Sequence, residues 1–132
     1  MASVPDKYLD LLEQKKAFAE LATIMPDGTP QVTPVWFDYT DSKVRVNTAK
    51  GRVKARNLKP GAPVALAILD PDNPYRYLQI RGRVAEVTET GADDHINKLS
   101  QKYVGKPVYE GRQPGEVRVL YKIIPDKVSS MG

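Results

Sequence analysis

From Ala17 onward the apolar positions recur mainly at every second residue, in short runs cut by Pro, Gly, Asp and Asn. Such a pattern predicts strands joined by tight turns. Ala17–Ile24 is a strand that stops at Met25-Pro26-Asp27-Gly28-Thr29, a strong turn signal. Its partner, Gln31–Tyr39, carries Pro34 in mid-run, which cannot donate to a ladder and so implies an edge strand or a bulge. After the turn Thr40-Asp41-Ser42, Lys43–Thr48 alternates polar and apolar residues, with Val44 and Val46 facing the core. Pro63–Leu69 is continuously apolar, which predicts burial on both faces. Asp70–Pro74 reads as a loop, Tyr75–Thr88 as a long strand bent at Gly82, and Val117–Ile124 as the closing strand before a tail at Pro125–Val128.

Three short helices interrupt the strands. One runs from a Ser3 cap to about Lys16 with Leu9 and Leu12 facing inward. A second is opened by the Gly51 turn and closed at Pro60-Gly61. A third is capped by Thr90, presents Ile96, Leu99 and Tyr103 as an inner stripe, and ends at Gly105 and Pro107. About six strands and three helices without βα alternation predict a mainly β fold, a small closed or partly open β-barrel with short helices. The expected organisation is one domain over residues 1–132, with no internal repeat or linker.

Composition narrows the chemistry. The chain has no cysteine, which removes disulfides, thiolate nucleophiles and cysteine metal sites together. It has one histidine, His95, too few for a zinc site or a nucleophile–base set, and His95 reads as a surface residue in a polar helix turn. Serine elbows of the GxSxG type and paired carboxylates for glycoside hydrolysis are missing, so any catalysis is expected to draw its reactivity from a cofactor. No apolar run is long enough to cross a bilayer, and the first six residues lack a basic region followed by an apolar one. The expectation is a cytoplasmic protein with no membrane partner.

The net charge of +4 is mild, but its placement is informative. Between Ala49 and Lys59, five of eleven residues are basic: Lys50, Arg52, Lys54, Arg56 and Lys59. Cations at a helix N-terminus oppose the macrodipole by up to about 1 kcal/mol, and an anion placed there reverses the penalty. Phosphate is the natural guest, held by the Thr48 hydroxyl, backbone N–H groups after Thr48 and Gly51, and the charges of Arg52 and Lys54. The spacing matches neither a Walker loop nor GxGxxG, and a solvated basic face is the competing reading. Pro34, on the neighbouring strand, leaves backbone groups free for a ligand and favours the site. Trp36 and the pair Tyr75 and Tyr77 read as packing residues, although both are also able to flank a planar ring.

Taken in order, Leu21-Ala22-Thr23, Asp27-Gly28, Pro30–Phe37, Asn47–Leu58 and Tyr77–Val84 resemble the pyridoxamine-phosphate-oxidase-like split-barrel flavoproteins, and within them the small branch that uses the deazaflavin coenzyme F420. The resemblance covers about Ala17 to Val128 and implies an FMN-binding-type split β-barrel, assembled as a homodimer with each cofactor groove built from both subunits. It implies that Arg52 and Lys54 hold the cofactor phosphate, that Asn47, Thr48 and Ala49 line its chain, and that Thr33, Pro34, Val35 and Trp36 approach its ring, with Lys50 a further cofactor-binding residue near the phosphate end. Tyr75, Tyr77 and Gln79 are the expected contribution of the second subunit. The implied reaction is hydride transfer from reduced F420 to a small conjugated acceptor, with no separate catalytic acid or base. Oxidation of vitamin B6 is not expected, because that activity goes with further segments beyond the position of Val128. Lys50 and Arg56 are candidates to pair with a polyglutamate tail. FMN in the same groove is the alternative cofactor, and a non-catalytic anion- or nucleic-acid-binding module is the third reading, weakened by acids interspersed among the bases.

Overall fold

The computed structural model describes residues 2–132. Seven strands, β1 (Ala19–Ile24), β2 (Pro30–Val35), β3 (Asp38–Thr40), β4 (Lys43–Ala49), β5 (Pro63–Asp70), β6 (Asn73–Thr88) and β7 (Arg118–Met131), form one antiparallel sheet in the order β2-β1-β5-β6-β7-β4-β3. The outermost strands of that order, β2 and β3, are separated in sequence only by Trp36 and Phe37. A flat seven-stranded sheet would hold its edges about 29 Å apart, whereas three Cα steps reach at most about 11 Å. The sheet therefore rolls up, and the architecture is the expected split β-barrel with short helices.

Burial follows the pleat. Phe37, Ile68, Leu78, Ile80 and Ile123 are fully buried at the centre, and α1 (Leu9–Glu13) closes one end of the barrel with Leu11 and Leu12. The long strands β6 and β7 carry the barrel's curvature, with register breaks at Arg81/Gly82 and Val84/Glu86. At the first break a Cβ on residue 82 would sit 2.0 Å from the Ile124 carbonyl oxygen, so only glycine fits there. No helix among the described residues is long and apolar enough to cross a membrane.

Several local expectations are corrected. The N-terminal helix does not start at a Ser3 cap: a 3₁₀ turn at Asp6–Tyr8 follows Pro5 and runs into α1, which buries Tyr8, Leu11 and Leu12 and leaves Leu9 only partly covered. Gln31–Tyr39 is two strands rather than one, broken where the chain crosses from one edge of the sheet to the other. Pro34 lies in edge strand β2, as its missing donor requires. β5 is buried on one face only, and Leu69 is exposed. The loop at Asp70–Pro74 is a tight hairpin turn, held by the Asp72 N–H donating to the Asp70 carboxylate at 2.9 Å. The tail after Ile124 is strand: Pro125 falls opposite Gly82 at the bulge, and pairing with β6 resumes from Lys127 to Met131. Gly91, not Thr90, is the residue before α3 (Ala92–Val104).

Candidate cofactor-binding site

One groove gathers the end of β2, the end of β4, the start of β7, the inner stripe of α3 and α2 (Val53–Asn57). Its lining includes Pro34, Val35, Trp36, Asn47, Thr48, Arg52 and Lys54, seven of the ten residues singled out in the sequence. Thr33, Ala49 and Lys50 do not line it. Ala49 is buried in the β4 ladder opposite Arg118. Lys50 forms an ion pair with Glu89 and faces a second depression with Arg56, Val119 and Tyr121. The Thr33 hydroxyl is buried and has no hydrogen-bond partner.

At the polar end, α2 is a single short turn of five residues, so its dipole contributes little and the side chains carry the charge. Burial pushes the Lys54 ammonium below its usual range, and the neighbouring cations Arg52 and Arg118 push it further. The Thr48 hydroxyl oxygen is buried without a partner beside them. Three cations therefore converge beside an unfilled hydroxyl with one carboxylate, Glu116, among them, and this positive excess is the electrostatic signature of the site.

At the apolar end, Trp36 lies stacked on Tyr103, with centroids 5.3 Å apart and planes within 4°, and Tyr109 meets Trp36 edge-on at 6.2 Å. Tyr103 is anchored by its hydroxyl, which donates to the Ala17 carbonyl at 2.6 Å, and burial pushes that phenol up to about 12. Trp36 is thus a wall of the groove as well as a packing residue. Tyr75, by contrast, is 81% exposed and packs no barrel interior.

A partly buried polar chain leads from Arg45 and Asp38 to the groove residues Asn47 and Arg118. Arg45 donates two hydrogen bonds to Asp38, at 2.8 and 2.7 Å, and Asp38 accepts one from His95 Nε2 at 3.1 Å. Asn47 Nδ2 donates to His95 Nδ1 at 3.1 Å and to the Ala92 carbonyl at 2.8 Å, while Asn47 Oδ1 accepts from Arg118 Nε at 2.9 Å. His95 is 2% exposed, which corrects its reading as a surface residue. In the first turn of α3 its side chain faces β4, and the polarity of neighbouring Asp93 and Asp94 conceals this in the sequence.

Phe18, Ile96, Leu99, Tyr109 and Arg118 also line the groove and were not among the predicted site residues. Ile96 and Leu99 were legible as the inner face of α3. Arg118 carried a signal too, as an arginine between two valines at the start of a largely apolar run.

These features define the class: a split barrel with an anion-seeking, aromatic-walled groove, the fold of a flavin-type oxidoreductase family. A family model for pyridoxamine 5′-phosphate oxidase matches residues 4–132. A pyridoxine/pyridoxamine 5′-phosphate oxidase of Rhodopseudomonas palustris (strain BisB5) is 32% identical over an alignment of 116 residues that covers 83% of this chain and 52% of that protein. The chain thus spans about half the length of this curated relative. A solved F420 reductase superposes with a TM-score of 0.82 at 38% identity, covering 96% of this chain and 98% of that one. A conserved hypothetical protein from Mycobacterium tuberculosis shares the fold at TM-score 0.72 and 23% identity, covering 99% and 86% of the two chains. The chain belongs to the pyridoxamine 5′-phosphate oxidase family.

Proposed function

We propose that this protein is an oxidoreductase that uses the deazaflavin coenzyme F420 to reduce a small conjugated acceptor. The observation that carries the reading is the groove's lining: the cations Arg52, Lys54 and Arg118 with the partnerless Thr48 hydroxyl, joined to the aromatic wall of Trp36 and Tyr109. That is the layout a ligand with a phosphate at one end and a planar ring at the other requires. The similarity to an F420 reductase along nearly the whole chain supports the deazaflavin over other ring systems.

In this reading Arg52 and Lys54, joined by Arg118, grip the phosphate, Asn47 and Thr48 face the connecting chain, and Pro34, Val35 and Trp36 bound the ring. Bound in its reduced form, the deazaflavin supplies a hydride. The protein's part is to hold ring and acceptor in register, exclude water with Trp36, Ile96 and Leu99, and stabilise developing negative charge. The ionisable side chains lining the groove are Arg52, Lys54, Tyr109 and Arg118, which suit charge stabilisation better than acid–base exchange. The groove of one chain encloses about 200 Å³, below the roughly 300–1,000 Å³ of most small-molecule sites. That shortfall supports a homodimer in which a second subunit completes it, with Tyr75, Tyr77 and Gln79 as candidate contributors. Lys50 and Arg56, side by side in the adjoining depression, are placed to meet acidic groups extending beyond the phosphate.

FMN in the same groove is the second reading, favoured by the named activity of the R. palustris relative. Parallel titration of the purified protein with oxidised F420 and with FMN separates the two. Tighter F420 binding, lost in Arg52→Ala and Lys54→Ala, is the expected result; preference for FMN moves the chain to the flavin users, and binding of neither overturns the oxidoreductase reading.

A further inference from the structure

The cation cluster of the groove contains a carboxylate that no grip on a phosphate requires. Glu116, two residues before Arg118, turns its side chain inward to 6% exposure and places Oε1 3.2 Å from Arg118 Nη1 and 3.7 Å from Arg52 Nη2. Its other oxygen, Oε2, is buried with no hydrogen-bond donor, and the Thr48 hydroxyl is likewise buried and unpartnered. An ion pair made for stability alone would satisfy both carboxylate oxygens, because a buried unpaired lone pair is costly. Here one carboxylate oxygen is left open beside the groove.

Charge counting gives this arrangement a consequence. Arg52, Lys54 and Arg118 supply three positive charges, and Glu116 cancels one of them before any ligand arrives. A phosphomonoester carries nearly two negative charges at neutral pH, because its second pKa is about 6, whereas a phosphodiester carries one. Repulsion from a fixed carboxylate scales with the ligand's charge, so Glu116 opposes a dianion about twice as strongly as a monoanion at the same distance. FMN ends in a phosphomonoester; F420 holds its phosphate as a diester within the side chain.

We propose that Glu116 is a specificity-determining residue, a built-in carboxylate that lowers the charge of the cluster around Arg52 and Arg118 and so shifts its selectivity from a phosphomonoester toward a phosphodiester. The proposal rests on the cofactor reading above and adds to it the physical basis on which one cofactor is chosen over the other. It also accounts for the position of the carboxylate: on the segment leading into β7, Glu116 reaches both Arg118 and Arg52, which lies just past the end of the neighbouring β4.

The test is equilibrium binding of F420 and FMN to the wild type, Glu116→Gln and Glu116→Ala, with thermal midpoints recorded for each. Gln keeps the shape and removes the charge; Ala removes both and serves if Gln misfolds. The expected result is a shift of about tenfold in the affinity ratio toward FMN in both variants, with F420 affinity changing far less. A ratio that stays constant, or moves toward F420, overturns the proposal and reduces Glu116 to a support for Arg118, while leaving the cofactor reading intact. Inorganic phosphate and dimethyl phosphate, used as competitors and as thermal stabilisers, provide a flavin-free control. If neither cofactor binds any variant, the cofactor reading fails and the proposal with it; if phosphate then still gains over dimethyl phosphate in Glu116→Gln, the anion site stands and only the cofactor was misassigned.

Discussion

His95 and Asn47 fix one another's orientation: the Asn47 amide nitrogen donates to His95 Nδ1 at 3.1 Å, which leaves the imidazole proton on Nε2, facing Asp38 at 3.1 Å. The amide cannot flip, because its oxygen already accepts from Arg118. One buried imidazole thereby connects the barrel edge at Asp38 to an arginine of the groove. Replacing His95 with Ala leaves the Asp38 carboxylate one donor short and is expected to cost roughly 2 kcal/mol, or about 5–10 °C in thermal midpoint for a domain of this size. Calorimetry measures it; a midpoint within 1–2 °C of wild type would show that water replaces the imidazole at little cost.

Acid should destabilise the protein through Asp38. Burial alone pushes this carboxyl up, but hydrogen bonds from His95 and Arg45 outweigh it and bring it down to about 2. A carboxyl with a depressed folded-state pKa adds stability above its unfolded value, and that stability is lost as pH falls through the folded value. Between about pH 4 and pH 2 the contribution of Asp38, roughly 2 kcal/mol, should disappear. Asp10 and Asp70, both lowered chiefly by hydrogen bonds from basic side chains, Arg76 and Lys15 respectively, act in the same direction. Urea unfolding at stepped pH should show a shallower slope in Asp38→Asn than in wild type.

Much of this was legible in the sequence, for identifiable reasons. Period-two alternation locates β4 and most of β6, and Pro34 marks an edge strand because a missing donor is a local property. The basic part of the groove was legible because Arg52 and Lys54 are close in sequence and their charges have no acidic partner nearby in the chain. What escaped was set by long-range contacts. Arg118 and Glu116 reach the groove only because β7 pairs with β4, more than sixty residues earlier. His95 is buried because α3 docks its first turn over Asn47, which no pattern within α3 reveals. The strand beyond Pro125 was hidden by a proline whose lost hydrogen bond falls at a bulge, where the ladder is already interrupted.

That bulge gives a sharp mutational test. At residue 82 any Cβ meets the Ile124 carbonyl oxygen at 2.0 Å, and both neighbours are backbone, so neither can move without opening the β6–β7 ladder. Gly82→Ala is expected to destabilise by about 2–4 kcal/mol, while Gly28→Ala in the exposed first hairpin, strained only by its φ of 87°, should cost about 1 kcal/mol. Chemical denaturation of the pair should return that order.

Trp36 is the chain's only tryptophan, and it stands at the groove. Ring binding there should quench its emission, and Trp36→Ala should weaken ring-bearing ligands by about five- to tenfold while leaving the affinity for inorganic phosphate unchanged. An equal loss for phosphate and for the full cofactor would instead mean that Trp36 props up the polar end through Tyr109.

Lys54 links ligand binding to proton uptake. In the free protein burial and the adjacent Arg52 and Arg118 charges hold its ammonium below the usual lysine range. A phosphate brought within reach supplies the opposite charge, stabilises the ammonium and raises its pKa. By linkage, binding then takes up protons wherever the free and bound values differ, so affinity is flat while Lys54 is charged in both states and declines once pH rises past the free-protein value. Titrations from pH 7 to pH 10.5 should show it in the wild type, and Lys54→Arg, which keeps the charge and cannot deprotonate in this range, should remove it. Calorimetric binding in buffers of different ionisation enthalpy should report net proton uptake in the alkaline range for the wild type and none for Lys54→Arg. A decline that survives the substitution would place the titrating group on the ligand, and would separate the charge of the site from the charge of what it holds.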